Sequence, residues 1–416
     1  MGKKEAGGQA EVNIGTAGHV DHGKTTLIQA LTGSWASKHS EELRRGITIK
    51  VGYADAAIYK CPKCPSLGRY TVKETCLKCG GPAELQRMVS FVDCPGHEVL
   101  MTTMLSGAAI MDGALLVIAA DEKVPQPQTR EHLAALGVIG IEKIIVVQNK
   151  IELVPKDQVL ENHKQILKFI EGTIAEDAPV IPISALHGAN IDVLLEMIET
   201  RIPTPKRDPS KPPRMYLVRS FDVNKPGTPA EKIVGGVLGG SLQQGVLRVG
   251  DELEIRPGIR SESKGKTEYE PLFSEVVTLH AGGRRVEDAT CGGLIGIETT
   301  LDPSLTKADG LVGNAVGRPG TLPSVAEYLE LETHLFEHAI GTKEMARVDK
   351  IKPRETLVLN GGTAVTVGAV AGTRGDISEF SLRRPICVDQ SDRVAISRRI
   401  EDRWRLIGYG VVKGVQ

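Results

Sequence analysis

The segment Gly18-His19-Val20-Asp21-His22-Gly23-Lys24-Thr25 constrains this chain more than any other. It fits the pattern G-x-x-x-x-G-K-[ST], and its neighbours are what such a loop requires. Glu11-Val12-Asn13-Ile14-Gly15 before it alternates as a strand does. Thr26-Leu27-Ile28-Gln29-Ala30-Leu31 after it reads as a helix. In a strand–loop–helix setting, backbone N–H groups and a helix N-terminus cradle a polyphosphate. Lys24 then reaches the β- and γ-phosphates, and the Thr25 hydroxyl ligates Mg²⁺. A glycine-rich turn that matches by chance is the alternative, and the motifs downstream argue against it.

Four more pieces follow in the order a GTP-hydrolysing domain requires. Asp93-Cys94-Pro95-Gly96-His97 ends the apolar run Val89-Ser90-Phe91-Val92. It puts a carboxylate where it can hold Mg²⁺ through water, and the Gly96 N–H where it can bond a γ-phosphate. Asn149-Lys150-Ile151-Glu152 ends the run Ile144–Gln148. There Asn149 would bond the purine edge, Lys150 would lie along the ring, and Glu152 would accept from N1–H and the 2-amino group. Ser184-Ala185-Leu186 closes Val180–Ile183 and can offer N–H groups to the guanine oxygen. Arg45-Gly46-Ile47-Thr48-Ile49 supplies a threonine for Mg²⁺ in the segment that senses the γ-phosphate. Each piece alone is weak, but the shared order is not. The expected nucleotide set is Gly18 through Thr26, Asn149, Lys150, Glu152 and Ser184–Leu186, with GTP or GDP as ligand.

Glu152 stands where an Asp is usual in such base-reading motifs, so the carboxylate reaches one methylene further. A misplaced partner for the buried guanine donors would cost roughly 1–3 kcal/mol. Guanine preference is expected to survive with a small adjustment; a relaxed base preference is the alternative.

At 416 residues the chain suggests two to four domains. A formal net charge of −1 excludes a broad polycation, so any RNA contact must be local. No apolar run reaches transmembrane length, and Met1-Gly2-Lys3-Lys4-Glu5 carries no signal-peptide core, which makes a cytoplasmic protein the expectation. Four of the seven cysteines form Cys61-x-x-Cys64 and Cys76-x-x-Cys79, spaced for a four-thiolate Zn²⁺ knuckle. Metal-free reduced thiols and redox chemistry are the alternatives. Four ligands leave no open position for catalysis, so the knuckle reads as structural or partner-binding. Cys94, Cys291 and Cys387 read as small buried residues.

Residues 1–10 read as a disordered terminus. From 11 to 202, strands alternate with amphipathic helices such as Gln128–Leu136, Gln158–Ile170 and Ile191–Ile202. That rhythm predicts an α/β P-loop GTPase domain, doubly wound around a mostly parallel sheet, with the knuckle inserted at about 57–84. A proline-dense linker spans 203–213. Short β-type runs, Ile233–Leu238 among them, then alternate with Gly, Pro and Asp turns, predicting two all-β barrel domains at 214–320 and 321–416. Arginines 383, 384, 393, 398, 399, 403 and 405 form the most basic stretch. A solvated barrel face balanced by Asp389, Asp392, Glu401 and Asp402 and an RNA contact are both open readings.

The loop Gly18–Thr25, Arg45–Ile49 and Asp93–His97, followed by two β-barrels, resemble the elongation factor Tu-like translational GTPases. The cysteine knuckle before Asp93, Asn149–Glu152 and the run His39–Arg45 narrow the likeness. So do Arg219–Gly227, Gly235-Gly236-Val237, Leu301–Lys307 and the Trp404–Gly410 ending. Together they are similar to the gamma-subunit family of archaeal and eukaryotic translation initiation factor 2, in its archaeal form, over about residues 11–415. The resemblance implies a heterotrimer core that binds GTP and carries methionylated initiator tRNA to the small ribosomal subunit. The alpha subunit would dock on the second domain and the beta subunit on the GTPase domain. GTP hydrolysis after start-codon recognition would release the factor. His97 would orient the attacking water, with Val20 and Ile47 shielding it, and Lys24, Thr48 and Gly96 would complete the catalytic set. Asp21 and the Gly46 backbone would hold a second Mg²⁺. Intrinsic turnover is expected to be slow, on the order of 10⁻⁴ s⁻¹. The rival readings are an elongation-type carrier, including the selenocysteine-specific type, the GTPase subunit of an ATP sulfurylase, and a scaffold that binds GTP without hydrolysing it.

Overall fold

Strand β1 (Val12–Ala17) is buried along its whole length, as a central strand covered on both faces must be. In the computed structural model, which describes residues 8–34, 51–65, 68–97, 101–263, 266–340 and 346–416, the chain divides into two compact units. One comprises the described residues through Pro205, and the other comprises Lys206–Ala339 and Ala346–Gln416. The expected switch residues Gly46, Ile47 and Thr48, and the run His39–Arg45, lie outside the described residues.

In the first unit β1 is followed by α1 (Lys24–Thr32), β2 (Gly52–Lys60), β3 (Tyr70–Thr71) and β4 (Glu84–Asp93). Then come α2 (Met101–Ala108), β5 (Gly113–Ala119), α3 (Pro127–Ile139), β6 (Ile144–Asn149), α4 (Lys156–Ile170), β7 (Val180–Pro182) and α5 (Ile191–Arg201). The sheet order is β3-β2-β4-β1-β5-β6-β7. The five strands from β4 to β7 are parallel, and β2 and β3 add an antiparallel edge. The parallel strands read as near-continuous apolar runs because helices cover both faces. Leu27, Ile28 and Leu31 of α1 and Leu194, Leu195 and Ile198 of α5 share one core with Val12, Ile14, Val89 and Phe91. Helix α3 packs against β1 and β5. Ala10 is already buried, ahead of β1.

The second unit holds two closed β-barrels. In the first, Glu252–Ser263, Ala315–Gly317, Arg214–Phe221, Val237–Gln244, Ile295–Thr299 and Lys266–Ala281 are neighbours in that order, and the last pairs with the first. In the other, Val325–Leu335, Ile377–Cys387, Ala364–Arg374, Thr356–Gly361, Arg393–Ile400 and Arg403–Val415 close a ring. Closure removes the unpaired edges that open sheets must protect. One strand expected at Ile233–Leu238 begins only at Val237. Val234 has both its N–H and its carbonyl bonded to the Asn224 side chain, so no ladder can form there. Among the described residues no helix is long and apolar enough to cross a membrane.

The four-cysteine insertion sits at the end of the β2–β4 hairpin. The two strands pair from Gly52↔Asp93 to Lys60↔Glu84, and the cysteines lie in the excursion between them. All four Sγ atoms lie within 4.8 Å of one another, with Cys61 3.5 Å from Cys79 and Cys64 3.7 Å from Cys76. Tetrahedral thiolates around zinc at about 2.3 Å stand about 3.8 Å apart, so the donor set fits that ion. Backbone N–H groups of Cys79 and Lys78 pull the Cys76 thiol well below the usual thiol range, while burial and the neighbouring cysteines push the Cys64 thiol up. Ion pairs lean the knuckle on α5: Arg69 Nη2 lies 3.2 Å from Glu196, and Lys78 Nζ 4.0 Å from Asp192. Metal analysis of the purified chain should find about one zinc per molecule. The double variant Cys64→Ser, Cys76→Ser should lose it and unfold at a lower temperature; wild-type protein without zinc would remove the metal reading.

Candidate nucleotide site

Every nucleotide motif singled out in the first half of the chain, apart from the segment outside the described residues, falls at the carboxyl ends of the parallel strands. β1 ends into Gly18–Thr25, β4 ends at Asp93, β6 at Asn149, and β7 leads into Ser184-Ala185-Leu186. In open α/β sheets ligands bind along that edge.

The phosphate loop wraps around one buried cation. Lys24 Nζ donates to the carbonyls of Gly18 at 3.0 Å and His19 at 2.6 Å. Burial pushes its ammonium down to about 8, against the pull of the Asp93 charge. Negative phosphate charge at this position favours the protonated amine. Gly23 caps α1 with φ +87°, and a Cβ there would stand 2.4 Å from the Asn149 side chain. No other residue type suits that position. Thr26 lies in the first turn of α1.

Asp93 is fully buried. Thr25 Oγ1 donates to its Oδ2 at 2.8 Å, and Thr16 Oγ1 to its Oδ1 at 3.1 Å. A hydroxyl and a carboxylate side by side at a polyphosphate loop form the donor set that Mg²⁺ takes. Gly96 approaches the loop so closely that a Cβ would come 2.4 Å from Lys24 Nζ and 3.2 Å from the Val20 nitrogen. His97 follows it, half-buried. Asp21 is exposed with φ +62°.

On the side where the sequence predicts base reading, Asn149 ties three loops together. Its Nδ2 donates to the His22 carbonyl at 2.9 Å, and its Oδ1 accepts from the Ala185 N–H at 3.0 Å. Lys150 takes a left-handed backbone with φ +63°, and its Nζ lies 3.8 Å from Asp121. Glu152 stands exposed in the short turn Ile151–Leu153. The Ser184 N–H donates to Ala189 and the Ala185 N–H to Asn149, so two of the three amides expected at the guanine oxygen are engaged within the site.

Two further side chains touch the loop. His132 Nδ1 accepts from the Gly18 N–H at 2.8 Å, and Gln128 Oε1 accepts from the Val20 N–H at 3.2 Å. They were not singled out in the sequence, because their partners lie 114 and 108 positions away and no local spacing marks them. In the second unit, the basic stretch at 383–405 is largely engaged. Arg398 bonds Glu355 and the Asp349 carbonyl, Arg384 bonds the Val312 carbonyl, Arg399 pairs with Asp402, and Arg405 is buried. These contacts favour the self-balanced barrel face over an RNA contact for those four residues.

Comparison with known proteins agrees with this geometry. The family described as the elongation factor Tu GTP binding domain matches residues 9–204, and that described as initiation factor eIF2 gamma, C terminal, matches residues 327–412. The chain is 62% identical over 413 residues to the translation initiation factor 2 subunit gamma of Pyrococcus abyssi, covering 99% of this chain and 100% of that protein. It is 58% identical over 414 residues to its namesake from Methanocaldococcus jannaschii, covering 100% of both. Among solved structures it is similar to a bacterial selenocysteine-specific elongation factor, with TM-score 0.74 and 24% identity over 97% of this chain and 58% of that one. It is also similar to translation elongation factor SelB from Methanococcus maripaludis, with TM-score 0.72 and 21% identity over 100% of this chain and 80% of that one. At such identities the structures speak for the fold alone. The near-complete match to the archaeal subunits places this chain in the gamma-subunit family of translation initiation factor 2, as a translational GTPase of the elongation factor Tu type.

Proposed function

We propose that this chain is the GTP-dependent carrier of methionylated initiator tRNA to the small ribosomal subunit in the cytoplasm. On this reading it forms the core of a heterotrimer, with an alpha subunit on the barrel at 214–320 and a beta subunit on the GTPase domain at 11–202. GTP hydrolysis after start-codon recognition releases it. The observation that carries the nucleotide half is the convergence of the Asp93–His97, Asn149 and Ser184–Leu186 segments on the loop around Lys24. The relatives named as initiation factor subunits support the rest.

The roles follow from where charge develops. Backbone amides from Asp21 to Thr25 and the Lys24 ammonium hold the phosphates, and the N–H of Gly96 meets the γ-phosphate. Thr25, Thr48 and, through water, Asp93 would hold Mg²⁺; Asp21 and the Gly46 backbone would hold a second ion. Bound there, Mg²⁺ neutralises charge on the phosphate oxygens. Asn149, Lys150, Glu152 and the Ser184–Leu186 turn read guanine. His97 orients a water whose oxygen bonds to the γ-phosphorus as the bond to the β,γ-bridging oxygen breaks. The electron pair leaves on GDP, and the water's proton goes to the released phosphate. Val20 and Ile47 shield that water until activation. Such a reaction needs positioning and charge neutralisation more than covalent chemistry.

Binding of methionylated initiator tRNA to the GTP-loaded chain with its alpha partner should be tight. It should weaken with GDP and exceed that of elongator methionyl-tRNA. Equal binding of the two tRNAs would point to an elongation-type carrier, and no tRNA binding to a metabolic GTPase. His97→Ala should leave GDP affinity unchanged and slow ribosome-stimulated hydrolysis by about 100-fold in single-turnover assays; unchanged hydrolysis would remove His97 from the reaction.

A further inference from the structure

The phosphate loop is held from both sides, and the outer grip comes from a helix that no nucleotide motif includes. Gln128 and His132 are four residues apart on α3 and so project from one face of it. Each accepts a hydrogen bond from a loop amide, Val20 N–H at 3.2 Å and Gly18 N–H at 2.8 Å. Inside the loop, Lys24 holds the carbonyls of Gly18 and His19. Gly18 is thus pinned through both its N–H and its carbonyl, by side chains from two different elements.

The protonation states are fixed by the partners. A backbone N–H can only donate, so His132 Nδ1 carries no proton and its proton sits on Nε2. Burial, together with the charges of Lys24, His19 and His22, pushes the His132 imidazole down to about 3, so it stays a neutral acceptor. His22 is the opposite case. Its Nδ1 faces the Val117 carbonyl at 3.0 Å, a group that can only accept, so there the proton is on Nδ1. The grip on Gly18 therefore requires an acceptor at position 132, where His132 is only 1% exposed.

We propose that Gln128 and His132 are positioning residues that set how long a guanine nucleotide stays bound. By turning the Gly18 and Val20 amides outward onto α3, they fix the entry to the loop in the shape from which the amides of residues 21–25 converge on the phosphates. The loop is then pre-organised, and the nucleotide does not have to order it on binding. This rests on the guanine-nucleotide reading of the site, and adds to it two residues that touch only the protein.

The test is stopped-flow dissociation of a fluorescent GDP from the full chain. His132→Leu keeps an apolar side chain of moderate size but removes the acceptor, and should speed dissociation about tenfold, as expected for a buried amide left unpaired. His132→Asn puts an amide oxygen where Nδ1 stands and should return the rate close to wild type. Gln128→Met, at a half-buried position, should speed dissociation about threefold. Circular dichroism melts without nucleotide report the fold separately. Dissociation as fast in His132→Asn as in His132→Leu, or unchanged in both His132→Leu and Gln128→Met, would overturn the proposal. A wild-type chain that binds no guanine nucleotide would overturn the reading of the site itself.

Discussion

The nucleotide site is organised around a buried ammonium. Lys24 sits out of water among the carbonyls of its own loop, with the fully buried Asp93 as its main counter-charge. Burying a cation is costly unless it is paired and hydrogen-bonded, so the surrounding backbone must be held in place. Each neighbouring segment contributes to that. Gly96 gives the room that a side chain would deny, Asn149 links the loop to the turn at Ser184–Leu186, and α3 secures the outer amides. The parallel sheet brings these pieces, remote in sequence, to a common edge.

Much of this was legible in the sequence, for a simple reason. The phosphate loop, Asp93–His97, Asn149–Glu152 and Ser184–Leu186 are each contiguous, and each ends a strand whose apolar run is itself readable. The observed α3 and α4 extend the helices expected at Gln128–Leu136 and Gln158–Ile170 by a few residues at most. The cysteine spacing pointed to a cluster, and the four sulfurs do converge.

What was not legible depends on pairing across the fold. Nothing local in Gln128 or His132 announces a partner more than a hundred positions away. Val234 looked like a strand residue because its side chain is β-branched; an asparagine ten positions earlier captures its backbone first. The arginines after 383 read as a possible polyanion surface because charge can be counted in sequence. Their carboxylate and carbonyl partners, such as Glu355 and Val312, can be assigned only after the barrel has closed.

The β2–β4 hairpin joins two features that seem unrelated. One end is stapled by the cysteine cluster, and the other ends at the Asp93 carboxylate, opposite Gly52. Ala54, Ala56 and Ile58 point into the core from β2 on every second position. A slip of one residue in this pairing would turn those side chains to the opposite face and carry Asp93 about 3.3 Å along its strand. The cysteine cluster thus acts as a length standard: by holding the far end of the ladder, it keeps the carboxylate in register with Thr25 at the other.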